Sequence, residues 1–308
     1  MRVLNLMGKG VEAAVQDAVP DVEIVTVAAR DVPPTGLRAD VLFAAWIESP
    51  VYDRLDDLGV RWMHLPGTGI DSWPRLLLES RVVTCSRGVS GIPIAEFVLG
   101  AMLALEKRMP EVWLDEPPEH WNVAPLGELA GRSLGIVGLG GIGTEVARRA
   151  RAFDMRVTAL RRTRQPSDVE GVDLAFGLTD LLAVSDHLVL AAPVTQRTRH
   201  LLDAGALTRV KSGVHIVNVA RGDLIDQHAL RGALDDGRVA MATLDCVTPE
   251  PLPEGHWLYT HPSVRLSAHI SWGSPRAFDR IVDAFVANLR RFAADEPLEG
   301  VIDLDEGY

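Results

Sequence analysis

Gly138-Leu139-Gly140-Gly141-Ile142-Gly143 has the G-x-G-x-x-G spacing. In that spacing the first glycine makes a tight turn, the second lets the backbone approach a pyrophosphate, and the third lets a helix pack closely on a strand. The motif is informative only between a strand and a helix. Here an apolar run ending at Val137 precedes it, and a helix-forming stretch, Thr144–Phe153, follows. This context predicts a bound dinucleotide, its phosphates at the helix N-terminus, where free N–H groups and a positive dipole end converge. About 20 residues on, an NAD site usually places an acid for the ribose hydroxyls. The next strand ends instead in Arg161-Arg162-Thr163-Arg164. An arginine pair suits a 2′-phosphate, through charge-assisted bidentate bonds. NADP(H) is therefore expected in preference to NAD(H), with NAD(H) still usable.

Three further stations hold groups that do chemistry. They are Asn218-Val219-Ala220-Arg221-Gly222-Asp223, Leu244-Asp245-Cys246-Val247-Thr248-Pro249-Glu250-Pro251 and Ser267-Ala268-His269-Ile270-Ser271-Trp272. Each follows a predicted strand, where open α/β sheets bind their ligands. Each also has a plain structural reading. Arg221 could pair with Asp223, Glu250 could be a solvated loop acid, and His269 a satisfied core histidine.

The elements that must position these residues show an alternating pattern. Short apolar runs at Val3–Met7, Val22–Val27, Val41–Ala45 and Val60–Leu65 predict strands, and polar helix-forming stretches separate most of them. Pro93–Met109 predicts a long helix, with Pro93 in its first turn. Strands are then expected at Arg132–Gly138, Arg156–Leu160, His187–Ala191, His215–Val219, Ala240–Asp245 and Val264–Ser267. This βαβα rhythm implies parallel sheets with helices on both faces. The fold class is α/β: two doubly wound parallel-sheet domains with a cleft between them. One domain is expected over residues 1–92 plus 273–308, with a helix from Pro275 returning to it. The other covers 93–272.

Bulk properties exclude several classes. The chain has 308 residues, 47% apolar and 24% charged, and a formal net charge of −11. Such a chain builds a core, and its acidity argues against a nucleic-acid partner. No apolar stretch reaches membrane-spanning length, so no membrane partner is expected. Met1-Arg-Val-Leu-Asn-Leu-Met lacks a secretion-signal pattern, which makes a cytoplasmic location the default. Cys85 and Cys246 lie in no CxxC or Cys/His cluster, so neither a metal site nor a disulfide framework is expected.

Together these motifs resemble the D-isomer-specific 2-hydroxyacid dehydrogenase family. The resemblance covers nearly the whole chain and is densest from Gly67 to Trp272. Ser185-Asp186 and Ala192-Pro193-Val-Thr195 with Thr198 add to it, beside the glycine turn and the boxes at Asn218–Asp223, Asp245–Glu250 and His269. Hydride exchange between a nicotinamide and a 2-keto acid needs a cation for the carboxylate and carbonyl, a proton donor titrating near neutrality, and a carboxylate to orient that donor. The resemblance implies Arg221, His269 and Glu250 for these roles. It implies that Asp245 meets the nicotinamide carboxamide or ribose, and that Val219, Ala220, Ala192, Pro193 and Thr198 lie along the cofactor. It matches Pro66-Gly67-Thr68-Gly69-Ile70-Asp71 to a loop whose backbone N–H groups hold the substrate carboxylate, and it sets Val89 and Gly91 on the cleft.

Three departures stand out: Asp154 where the family often has Gly, Ala191 where it often has His, and the arginine pair in place of the ribose acid. Trp46 and Trp272 are expected to wall the substrate pocket. With the arginine pair they favour a small 2-keto acid of the glyoxylate/hydroxypyruvate kind. An NAD-dependent enzyme acting on phosphite, formate or a phosphorylated hydroxyacid, and a dinucleotide-sensing binding protein, remain the alternatives. The segment Pro110–Leu126, with Trp113 and Trp121, resembles the family's dimerisation arm, so a homodimer is expected. An appended regulatory domain is not.

Overall fold

The computed structural model describes residues 1–71, 73–163 and 165–304. Arg164, in the basic run, lies outside the described residues. The chain forms two compact units, Met1–Val89 with the chain from Ser274 onward, and Ser90–Gly273.

The first unit holds a five-stranded sheet of β1 (Arg2–Asn5), β2 (Glu23–Thr26), β3 (Val41–Phe43), β4 (Trp62–Leu65) and β5 (Val82–Cys85). All pairs are parallel, in the order β2-β1-β3-β4-β5. β3 and β4 are buried throughout, as apolar strands inside a two-faced sheet must be. One face is covered by the helix Ala277–Ala293, whose Ile281, Val282, Phe285, Val286 and Leu289 recur at helical spacing and are all buried. Phe285 stacks on Phe43 at 4.1 Å and on Trp62 at 5.5 Å. β5 has no counterpart in the expected strands. It is the last strand of the sheet beside β4, and its other side is bridged by the chain at Val301.

The second unit is a seven-stranded parallel sheet. Its strands are β6 (Ser133–Val137), β7 (Arg156–Leu160), β8 (Val172–Leu174), β9 (His187–Leu190), β10 (Val214–Asn218), β11 (Val239–Leu244) and β12 (Val264–Leu266). The order is β12-β11-β10-β9-β6-β7-β8. It reverses between β6 and β9, the kind of switch point where such sheets bind ligands beyond their carboxyl ends. β8, a three-residue edge strand, was also not anticipated. The long helix runs Gly91–Glu106, earlier at both ends than Pro93–Met109. Glu106 is its last helical residue, and Arg108 lies beyond at φ +52°. The Gly141–Ala152 helix ends before Asp154, which adopts φ +58°. Asp tolerates this left-handed conformation better than a branched residue would. Among the described residues, no helix is long and apolar enough to cross a membrane.

Candidate active site

β6 delivers its chain directly into the glycine turn. Gly138 has φ +97°, and a Cβ there would lie 2.7 Å from the Ala192 nitrogen. At Gly143 a Cβ would sit 2.0 Å from the Gly138 carbonyl oxygen. Both positions therefore admit only glycine. Gly140 differs, because its Cβ would meet nothing within 4 Å. It faces open space at the N-cap of the Gly141–Ala152 helix, where the first-turn N–H groups of Gly141, Ile142 and Gly143 have no intrahelical acceptor. A cradle with two sterically closed glycines, one open glycine and a helix N-terminus fits a pyrophosphate. Gly91 supports it from behind: a Cβ there would come within 2.9 Å of the Gly141 carbonyl.

Arg161, Arg162 and Thr163 follow β7 directly, beside the turn, since the Gly138 N–H bonds the Leu160 carbonyl at 2.8 Å. Arg161 is half-buried and its Nη1 donates to the Gln165 and Pro166 carbonyls at 3.3 and 3.4 Å, while Arg162 and Thr163 are exposed. Past β9, Ala192 is buried, and Thr198 closes the Pro193–Thr198 turn by donating to the Pro193 carbonyl and accepting from the Thr195 N–H, both at 2.7 Å.

The loops after β10, β11 and β12 carry the three charged stations. After β10, Val219 and Ala220 are buried. Asn218 holds this loop, accepting from the Ala220 N–H at 3.1 Å and donating to the Arg221 carbonyl at 2.8 Å. Asp223 is taken by Arg199. A Cβ on Gly222 would lie 2.0 Å from the Val247 carbonyl carbon, so only glycine lets the Arg221 loop meet the loop after β11. On that second loop Glu250 accepts from the Val247 N–H at 2.9 Å with one oxygen. Its other oxygen is 2.8 Å from His269 Nδ1.

The two groups shift each other. The Glu250 hydrogen bond, with Glu250's charge, raises the His269 pKa above its ordinary 6.5 against the pull of burial and Arg221. Burial opposes ionisation of Glu250, but the His269 and Val247 hydrogen bonds and the His269 and Arg221 charges outweigh it and lower its pKa below 4.5. That Arg221 acts on both puts the three residues in one electrostatic cluster. With Glu250 on Nδ1, the other ring nitrogen of His269 is left to exchange a proton.

Asp245 has a use that its sequence position did not reveal. It is buried, and its carboxylate accepts from Ser267 Oγ at 2.6 Å, the Ile270 N–H at 2.9 Å and the Ser271 N–H at 3.0 Å. Its own carbonyl accepts from the His269 N–H at 2.9 Å. Trp272 Nε1 donates to the His269 carbonyl at 3.0 Å. These bonds hold His269 at φ +54°, a left-handed conformation that costs an L-residue about 1–2 kcal/mol. Asp245 and Trp272 thus fix the histidine, whatever else they touch. Cys246, buried, also enters the group: its sulfur, a Glu250 oxygen and a His269 nitrogen all lie within 4.8 Å of one another. The cysteines stand apart from any histidine along the chain, but Cys246 does not in space.

In the first unit, Gly67, Thr68 and Gly69 follow β4, and Trp46 lies just beyond the neighbouring β3. A Cβ on Gly67 would be 3.4 Å from Trp46 Nε1, and Trp46 is 52% exposed. A buried polar chain lies beneath this loop. Trp62 Nε1 can only donate, and Thr84 Oγ1 receives it at 2.9 Å. Thr84 Oγ1 also lies 2.7 Å from His64 Nδ1, and His64 Nε2 lies 3.0 Å from Ser86 Oγ, so both ring nitrogens are hydrogen-bonded. Ser86 donates on to the Leu65 carbonyl at 3.3 Å, and Thr68 Oγ1 to the Ser86 carbonyl at 3.4 Å. Burial pushes the His64 pKa down to about 3, which keeps the ring neutral.

Other singled-out residues have structural places. Ser185 bonds the Leu181 carbonyl, and Asp186 is held by Lys211 and the Ser133 N–H, at the amino end of β9, opposite the glycine turn. Val89 packs on the core beside the Ala277–Ala293 helix.

Residues 99–271 match the sequence model of "D-isomer specific 2-hydroxyacid dehydrogenase, NAD binding domain". The chain is 30% identical over 254 residues to a glycerate dehydrogenase of Methylorubrum extorquens, covering 79% of each protein. It is 33% identical over 256 residues to a glyoxylate reductase of Thermofilum pendens, covering 79% of this chain and 74% of that one. Among solved structures it resembles a D-isomer specific 2-hydroxyacid dehydrogenase from Xanthobacter autotrophicus in complex with NADPH and MES, with TM-score 0.83, 26% identity and coverage of 100% and 99% of the two chains. A family protein from Aeromonas salmonicida is similar at TM-score 0.78 and 27% identity over 99% of both chains. With a matched NAD-binding domain, both parallel sheets and relatives along most of its length, the chain belongs to the D-isomer specific 2-hydroxyacid dehydrogenase family.

Proposed function

We propose that this oxidoreductase interconverts a small 2-keto acid of the glyoxylate/hydroxypyruvate kind and its D-2-hydroxy acid, with NADP(H) preferred over NAD(H). The observation that carries the reading is the 2.8 Å His269–Glu250 pair, with Arg221 in its field, on the sheet that bears the glycine turn. The first unit is read as the substrate-binding domain and the second as the dinucleotide-binding domain.

The glycine turn would hold the pyrophosphate through Gly138, Gly140, Gly141, Ile142 and Gly143. Arg161, Arg162 and Thr163 would receive the 2′-phosphate. Bound there, the nicotinamide supplies or accepts a hydride. Arg221 grips the substrate carboxylate and draws charge from the adjacent carbonyl. His269, protonated, gives its proton to the carbonyl oxygen during reduction and recovers one during oxidation. Glu250 keeps the imidazolium charged and oriented. Gly67, Thr68 and Gly69 offer backbone N–H groups to a carboxylate, and Trp46 and Trp272 supply flat apolar surface that favours a short side chain. A relative named glyoxylate reductase and a neighbour holding NADPH support this substrate class and cofactor.

Replacing His269 with Gln keeps a hydrogen-bonding side chain but removes the titrating group. Turnover of the keto acid should fall by at least about 100-fold, the usual worth of a general acid, while dinucleotide binding followed by fluorescence stays near wild type. Near-normal kcat would remove His269 from the chemistry. Arg161→Ala with Arg162→Ala should raise KM for NADPH and leave KM for NADH little changed; equal effects on both would defeat the 2′-phosphate assignment.

A further inference from the structure

Cys246 has no part in the proposed hydride chemistry, yet its sulfur lies within 4.8 Å of ligand atoms on Glu250 and His269. The three residues offer one thiol, one carboxylate and one imidazole. That mixed donor set suits Zn(II) and disfavours Mg(II) and Ca(II), which take oxygen ligands. Tetrahedral zinc, with bonds of about 2.0–2.3 Å, holds such ligands about 3.3–3.8 Å apart. Closing a 4.8 Å group to that spacing takes side-chain movement of at most about 1–1.5 Å, and the 2.8 Å His269–Glu250 pair opens by about 0.5 Å or more to admit the ion. The sulfur is fixed at the floor, because Cys246 is buried and follows the hydrogen-bonded Asp245. The other two side chains reach solvent, with 39% of His269 and 36% of Glu250 exposed, so a cation has a way in and an open fourth position.

We propose that Cys246, Glu250 and His269 form an inhibitory zinc site. The ion takes the place of the thiol proton and engages both members of the His269–Glu250 pair. Bound at Nδ1, the nitrogen that faces Glu250, it replaces the Glu250 hydrogen bond and puts a fixed positive charge on the ring. The other nitrogen then keeps its proton, and His269 no longer passes one. The inhibition rests on the catalytic reading of His269 and Glu250, but the binding does not.

The test uses the full chain, stripped of metal with a chelator and then titrated with Zn(II) during keto-acid reduction, and separately with Co(II) in an absorption spectrometer. Zinc should inhibit the wild type. Cys246→Ala should keep its turnover and need at least ~10-fold more zinc for the same inhibition, the low end of what losing a metal-site partner costs. Co(II) should give a thiolate charge-transfer band that Cys246→Ala abolishes and Cys85→Ala retains. Cys246→Ser replaces Cys246→Ala if the smaller side chain unfolds the protein. Equal zinc sensitivity in wild type and variant, or a cobalt spectrum without the thiolate band, would overturn the site; a thiolate band without zinc inhibition would overturn its inhibitory role. The cobalt arm reads out even if no keto acid is reduced, so its failure and that of the catalytic reading are separable.

Discussion

His269 and Glu250 each hold the other's charge, and the sign of that coupling fixes a pH dependence. His269 has a raised pKa, so its stabilising contribution is complete below 6.5 and is lost as pH rises through the raised value. Glu250 has a lowered pKa, so its contribution is present above 4.5 and is lost as pH falls through the lowered value. Between those limits the ion pair is intact. Reduction needs the imidazolium, so its rate should decline on an alkaline limb set by the raised His269 pKa, above the limb of an ordinary histidine. Glu250→Gln removes the main cause of that shift. Its reductive limb should move to lower pH, and kcat should fall. A pH–rate profile with the wild-type limb would show that Glu250 does not tune His269. The residue types at 221, 250 and 269 were legible from the sequence because each follows a strand of the cofactor sheet. The role of Asp245 in holding His269 was not. It depends on three donors, Ser267, Ile270 and Ser271, that only the β11–β12 pairing brings to one carboxylate.

At the scale of elements, the glycine turn makes two predictions of opposite kind. Gly143→Ala drives a Cβ to 2.0 Å from the Gly138 carbonyl, so the strand–turn–helix unit must shift. It should lower the melting temperature and weaken dinucleotide binding together. Gly140→Ala puts its methyl into open space. It should fold with wild-type stability and still bind dinucleotide poorly, because the methyl occupies the approach to the pyrophosphate. Isothermal titration with NADPH beside thermal melts of both variants separates the cases; tight binding by Gly140→Ala would remove the phosphate from that turn. The turn was readable because its spacing is local. β8 was not, since its three residues include the charged Asp173 and none of them is buried. The tie of Cys246 to His269 was hidden because the two lie far apart along the chain, and the crossover between β11 and β12 closes the gap.

For the molecule as a whole, the two parallel sheets account for the core-forming composition. The segment Pro110–Leu126 leaves apolar surface open, with Trp113 69%, Trp121 73% and Val123 76% exposed. Aromatic surface of this kind is enriched at interfaces, in line with the homodimer expected from the sequence. Light scattering at micromolar concentration should return about twice the chain mass, and Trp113→Ser with Trp121→Ser should shift it toward the monomer. A stable monomer in the wild type would refute the dimer. The central claim is the reduction of a small 2-keto acid by NADPH. It is tested most directly by steady-state oxidation of NADPH and of NADH against glyoxylate, hydroxypyruvate, pyruvate and phenylpyruvate. The highest kcat/KM should belong to glyoxylate or hydroxypyruvate with NADPH. A preference for NADH, for phenylpyruvate, or for none of the four would contradict it.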